Sequence, residues 1–289
     1  MLMRMMKQLL LFLLLACLGL FSSCRAPENR RPQVVVSIEP LRHMVEAVAG
    51  ERCEVLALVP AGAAPETYEP TPRQLVAMDQ AVIYFRVGTL GFERTRLEKI
   101  RENAPNVKMV SLSEGLTMLP HGHGEVAADG EDPHVWTSPL NVRLMAAKIH
   151  AALCEADSAG TAYYTRRLQA FEQSVDSLDA AIKLLLKDCP HRTFLIQHPA
   201  LGYFARDYGL RQLSVEHEGK EAGTARVEQL IRTCRTEGVH TVFVQPEHSG
   251  RVANAIAKEV GAEVQEVNPL SYDWEAELLR IAKVLSDGN

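Results

Sequence analysis

Imidazole and carboxylate side chains recur at similar places in this chain, directly after short apolar runs. Glu39 and His43 follow residues 34–37, and Glu66 and Glu69 follow residues 54–59 within Pro65-Glu66-Thr67-Tyr68-Glu69-Pro70. His198 follows residues 193–197, and Glu216, His217 and Glu218 follow residues 212–215. Glu247 and His248 follow residues 240–244, while Asn268, an amide, follows residues 263–267. A long polar stretch adds Asp132-Pro133-His134. Imidazole nitrogen combined with carboxylate oxygen is a donor set for zinc, manganese or iron. Any one such His is usually a surface or hydrogen-bonding group, and Pro-bounded segments are often plain turns. The joint pattern is what points to a divalent metal.

Such residues meet only if the elements before them share an edge. The β-branched runs 34–37, 54–59, 81–86 and 108–111 read as strands, with helices at 41–50, 71–80 and 92–104 between them. Thr71-Pro72 is a helix start, a capping hydroxyl followed by a ring that fits the first turn. The rhythm repeats with strands at 193–197, 212–215, 240–244 and 263–267, helices at 224–237 and 249–260, and a last helix from about Asp273 to Leu285. Alternating strand and helix implies mainly parallel sheets. The fold class expected is therefore α/β in two lobes, and in parallel sheets ligands gather beyond the carboxyl ends of the strands.

Between the two repeats, residues 139–187 read as helix. From Tyr164 through Leu168, Phe171, Val175, Leu178, Ile182 and Leu185, apolar residues recur in steps of four and three, one face of a helix. A helix over 161–187 would be roughly 40 Å long at 1.5 Å per residue, which suits a rigid connector. The expected organisation is a targeting segment at 1–24, a first lobe at 25–138, a helical connector at 139–189 and a second lobe at 190–289.

The N-terminus looks like an export signal. Arg4 and Lys7 precede an apolar run over residues 9–21, too short to span a bilayer as a helix. Leu20-Phe21-Ser22-Ser23-Cys24 resembles a bacterial lipobox, in which the Cys is acylated and becomes the mature N-terminus. Cys53, Cys154, Cys189 and Cys234 show no metal-ligand spacing, and their pairing is open between disulfides and free thiols. A net charge of -5 gives no basic footprint for nucleic acid.

Taken together, the segments resemble the metal-binding solute-binding proteins of ABC importers, the zinc and manganese uptake receptors. Val36-Ser37-Ile38-Glu39-Pro40-Leu41 is similar to that family's opening strand. The segment from Pro65 to Pro72 is similar to its Pro-His-x-Tyr-Glu-Pro-Thr-Pro motif, and that from Asp132 to Pro139 to its Asp-Pro-His-x-Trp-x-Ser-Pro motif. His198 with Gly202-Tyr203-Phe204-Ala205 is similar to its third ligand motif. The resemblance implies two α/β lobes joined by a long helix, with metal held between them by His134, His198 and, in place of the usual His, Glu66. A carboxylate at that place can ligate zinc and also favours manganese or iron. Asn268 stands where some members have an Asp, and His248, Glu247, Glu216 and Asn268 are the candidates for a further ligand. His121 and His123 resemble a shortened His-rich loop. The implied protein is an extracytoplasmic, membrane-anchored monomer that captures a divalent ion, zinc first, and passes it to a membrane permease. The rivals are a metallohydrolase, for which no His-Glu-x-x-His helix is present, and an adhesin lipoprotein. If Cys24 carries the anchor, a Cys24→Ala protein should leave the membrane fraction; retention on washed membranes would refute the anchor.

Overall fold

A computed structural model describes residues 31–120, 130–216 and 222–287. The targeting segment with Cys24, the pair His121 and His123, and His217 and Glu218 lie outside the described residues. Two four-stranded sheets, each wholly parallel, organise the rest. The first has the order β2-β1-β3-β4, from β1 (Gln33–Val36), β2 (Glu54–Ala57), β3 (Ile83–Arg86) and β4 (Lys108–Ser111). The second repeats that order as β6-β5-β7-β8, from β5 (Thr193–Ile196), β6 (Arg211–Ser214), β7 (Thr241–Val244) and β8 (Glu263–Glu266). The two-lobe α/β class expected from the sequence is the one observed.

The central strands explain themselves chemically. Val34, Val35, Val36, Tyr84 and Phe85 in one sheet, and Phe194, Leu195, Ile196, Val242 and Phe243 in the other, are fully buried. Strands covered by helices on both faces need such unbroken apolar runs. Helices α1 (Glu39–Ala49), α2 (Pro72–Asp79) and α3 (Gly91–Asn103) serve the first lobe. Helices α6 (Gly202–Asp207), α7 (Thr224–Glu237), α8 (Arg251–Val260) and α9 (Trp274–Asp287) belong to the second half of the chain. Thr71 caps α2 as its sequence suggests: the Gln74 amide donates to the Thr71 hydroxyl, and the Gln74 side chain accepts from the Thr71 amide.

Two helices join the halves, α4 (Pro139–Ala156) and α5 (Thr161–Leu186). Helix α5 has 26 residues, roughly 39 Å at 1.5 Å each. It buries Tyr164, Phe171, Val175, Leu178, Ile182 and Leu186, while Leu168 and Leu185 of the face read from the sequence are half-buried against the same core. That face packs against α4, against α1 of the first lobe and against α9 at the end of the chain. The connector is thus also a core helix, and a single apolar cluster runs from the first sheet through α5 into α9 and part of the second sheet. Cys53, Cys154, Cys189 and Cys234 are all free thiols.

Two tryptophans tie the halves directly. The Trp136 indole donates to the Pro269 carbonyl at 2.8 Å, and the Trp274 indole donates to the Trp136 carbonyl at 2.6 Å. Both rings are buried. Trp274→Ala should cost about 3–5 kcal/mol in urea unfolding, the range for a buried large ring. Trp274→Phe, which keeps a ring but strands the Trp136 carbonyl, should cost about 1–3 kcal/mol. Equal, negligible losses would show that this clasp does not hold the halves.

Candidate metal centre

Each half contributes side chains from the carboxyl ends of its strands. In the second sheet, β5 and β7 are neighbours whose onward connections run to opposite sides, which leaves a crevice beyond their ends. His198 leaves β5 and Gln245 leaves β7 at that point. They clamp one another: the His198 amide donates to Gln245 Oε1 at 3.1 Å, and Gln245 Nε2 donates to the His198 carbonyl at 2.7 Å. Gln245 went unread in the sequence; its only signal is its place at the strand exit, two residues before Glu247.

The first half supplies Glu66 and His134. Glu66 lies on the loop between β2 and α2, which is pressed onto the start of α3. The Phe92 amide donates to the Pro65 carbonyl, and a Cβ at Gly91 would stand 2.8 Å from the Glu66 carbonyl oxygen. A side chain at Gly91 would push Glu66 away. His134 follows β4 by a long connection and is fixed by Asp132, whose Oδ1 accepts from the His134 amide at 2.9 Å and from its Nδ1 at 2.8 Å. Tyr203, on α6 in the second half, donates to the Asp132 carbonyl at 2.8 Å and accepts from the Leu119 amide at 3.0 Å, pinning both arms of this connection.

Across the lobes, His198 Nε2 stands 3.3 Å from His134 Nε2 and 3.6 Å from Glu66 Oε1. Ligands bound to a tetrahedral ion at about 2.0–2.1 Å lie about 3.4 Å apart, so these spacings fit the edges of such a shell. The three residues form one of two groups among the described residues whose ligand atoms lie within 4.8 Å of one another. The tautomers agree. Asp132 and Glu216 can only accept, so both imidazoles carry a proton on Nδ1 and, when neutral, turn a bare lone pair on Nε2 toward the other. Two lone pairs this close repel unless a cation sits between them. His134 and His198 are buried, whereas the Glu66 side chain is 36% exposed and forms the rim.

The second group is His198, Glu216 and His248. Glu216 accepts from His198 Nδ1 at 2.9 Å and from Gln197 Nε2 at 3.1 Å, and pairs with His248 Nδ1 at 3.3 Å. Burial alone would raise the Glu216 carboxyl pKa, but hydrogen bonds from His198, His248 and Gln197 outweigh it and hold the carboxyl well below its usual range. Burial lowers the His198 pKa despite Glu216, which keeps this imidazole neutral and able to ligate at neutral pH. At His248 burial also acts downward, but Glu216, Glu247 and Glu66 together prevail and raise it.

The remaining sequence candidates are placed as follows. Glu247 has a 5% exposed side chain whose Oε2 is buried without a hydrogen-bond partner, and burial raises its pKa. The Asn268 side-chain oxygen accepts from the Leu270 amide. Glu39 pairs with Arg42, and His43 pairs with Glu275 of α9. Those two residues serve helix and lobe contacts, outside both groups.

The family model described as zinc-uptake complex component A, periplasmic, matches residues 34–278. The chain belongs to this family of metal-binding solute-binding proteins. It is 28% identical to the iron-binding protein YfeA of Yersinia pestis over 266 residues, 88% of this chain and 84% of that one. It is also 28% identical to the manganese-binding lipoprotein MntA of Halalkalibacterium halodurans over 236 residues, 80% and 77% of the two chains. Among solved structures, a zinc-bound deletion mutant of ZnuA superposes with a TM-score of 0.83 at 35% identity, covering 89% of this chain and 98% of that one. The relatives thus span three divalent metals on one fold. Members of the family are transport receptors, and no helix among the described residues is long and apolar enough to cross a membrane.

Because Asp132 orients His134, its loss should act on metal binding without touching the ion. Asp132→Ala should weaken zinc binding by about 10–100-fold in competition with a chromophoric chelator. Asp132→Asn, which can still accept from the backbone amide, should fall between. Parental affinity in both would mean that His134 needs no such support.

Proposed function

We propose that the protein captures a divalent transition ion, zinc first, between Glu66, His134 and His198 and delivers it to the permease of an ABC importer. The observation that carries this reading is the meeting of two Nδ1-protonated imidazoles, Nε2 to Nε2 at 3.3 Å, with a carboxylate at 3.6 Å. Their sources in both halves make the ion a bridge between the lobes, whose working units are the segments 25–138, 139–189 and 190–289. The clasp of Trp136 and Trp274 and the continuous core along α5 leave small tilts and loop movements for loading and release rather than wide hinge closure. The exposed Glu66 is the ligand through which the ion enters and leaves. In this reading the protein is a monomeric receptor and not an enzyme. It is held on the extracytoplasmic side of the membrane by acylated Cys24, with whatever further contact stable anchoring needs.

The finer assignment concerns the metal. Glu66 is a harder ligand than the imidazole usual at its place, so it narrows the gap between zinc and manganese or iron without reversing the general order, in which zinc stands above manganese. Glu66→His and Glu66→Gln proteins titrated with zinc and with manganese test this. Direct ligation predicts that Gln weakens both ions and that His widens the preference for zinc. Parental binding of both ions by both variants would remove Glu66 from the ligand shell.

A further inference from the structure

Three protein ligands leave one corner of a tetrahedral shell open, and what fills it decides how tightly the cargo is closed in. Asn268 is the weaker candidate, because its side-chain oxygen is a neutral amide already accepting from the Leu270 amide. The exit of β7 offers a different residue. The imidazoles of His198 and His248 lie nearly parallel, 7° between planes, with centroids 4.4 Å apart. One carboxylate serves both rings: Glu216 Oε2 meets His198 Nδ1 at 2.9 Å, and Oε1 meets His248 Nδ1 at 3.3 Å. Parallel rings anchored through Nδ1 to the same group carry Nε2 on the side away from it. For His198 that side is where His134 Nε2 and Glu66 Oε1 stand.

We infer that His248 is the fourth ligand of the cargo ion, through Nε2, and that Glu216 is the positioning residue that sets tautomer and direction for both His198 and His248. The inference rests on the three-residue site proposed above. Each ring then has the arrangement typical of a metal-bound histidine, one nitrogen on the ion and the other donating to a carboxylate. His248 does not join Glu66, His134 and His198 in the group whose ligand atoms lie within 4.8 Å of one another. Closing the shell therefore requires His248 to tilt inward, a movement its side-chain torsions allow. His248 has a 14% exposed side chain on a loop, whereas His134 and His198 are deeply buried. The fourth ligand is thus a movable cover, beside the exposed Glu66, over a floor of two buried imidazoles. Binding gains affinity when it closes, and the ion becomes exchangeable when it swings out. Glu247, buried beside it with Oε1 4.0 Å from His248 Nε2, is a further carboxyl group next to the incoming cation.

The test uses the full mature chain freed of metal, with His248→Phe, Glu216→Gln and, as a control on the parent site, His134→Ala. Zinc affinity is read by chelator competition, and cobalt(II) is added separately to read the visible ligand-field spectrum. Metal-free thermal unfolding checks that each variant is folded; His248→Gln replaces His248→Phe if the latter is not. The inference predicts a loss of zinc affinity of about tenfold or more in His248→Phe, and of about 10–100-fold in Glu216→Gln. It also predicts a cobalt spectrum shifted in position and intensity in His248→Phe, as a nitrogen ligand is exchanged for water. A folded His248→Phe that binds zinc like the parent with an unchanged cobalt spectrum, while His134→Ala has lost binding, would overturn the fourth ligand and leave the three-ligand site standing. Parental zinc binding by His134→Ala would overturn both.

Discussion

The site depends on a single electrostatic constraint: two imidazoles from different halves of the chain meet Nε2 to Nε2 at 3.3 Å, each with its other nitrogen held by a carboxylate. Because Asp132 and Glu216 accept and cannot donate, neither ring, when neutral, can turn a proton toward the other without giving up a buried hydrogen bond. The energetically sound way to bring such lone pairs together is to place a cation between them. Much of the surrounding structure serves this meeting. Gln245 fixes the His198 backbone, Tyr203 ties down the arms that carry His134, and Gly91 lets the Glu66 loop approach α3.

Precision of this kind needs lobes that do not drift. Helix α5 lies in a core continuous with α1, α4 and α9, and the paired tryptophans join residues 136 and 274 through main-chain carbonyls. A protein built this way places its mobility in side chains and loops rather than in a hinge. The gradient of exposure follows the same division, with His134 and His198 deep and Glu66 at the rim. In the proposed receptor role, this separates a floor for recognising the ion from a rim for exchanging it.

Charge is arranged with the same economy. Glu216 stays ionised in a half-buried place because three donors converge on it, whereas burial raises the neighbouring Glu247, whose Oε2 has no partner. Two acids a few residues from the same crevice thus have opposite tendencies, set by hydrogen bonding rather than by sequence distance. In the proposed site, which divalent ion gains most depends on how this field combines with the harder carboxylate oxygen of Glu66.

Much was determined by the sequence alone, because it rests on local rules. The valine and aromatic runs of β1, β3, β5 and β7 could be read as buried parallel strands, the seven-residue periodicity of α5 as one apolar helix face, and Thr71-Pro72 as a helix start. The strand-exit rule and the motif resemblance brought out Glu66, His134 and His198. Tertiary structure decided what depends on partners distant in sequence. It put His43 and Glu39 into helix and lobe contacts, turned the Asn268 oxygen to the Leu270 amide, and left Cys53, Cys154, Cys189 and Cys234 unpaired. It alone disclosed Gln245 as a clamp and Glu216 as the carboxylate shared by two rings. The reason is physical: a side chain's type fixes which bonds it can make, but only the packing of elements dozens of residues apart fixes which partner reaches it first.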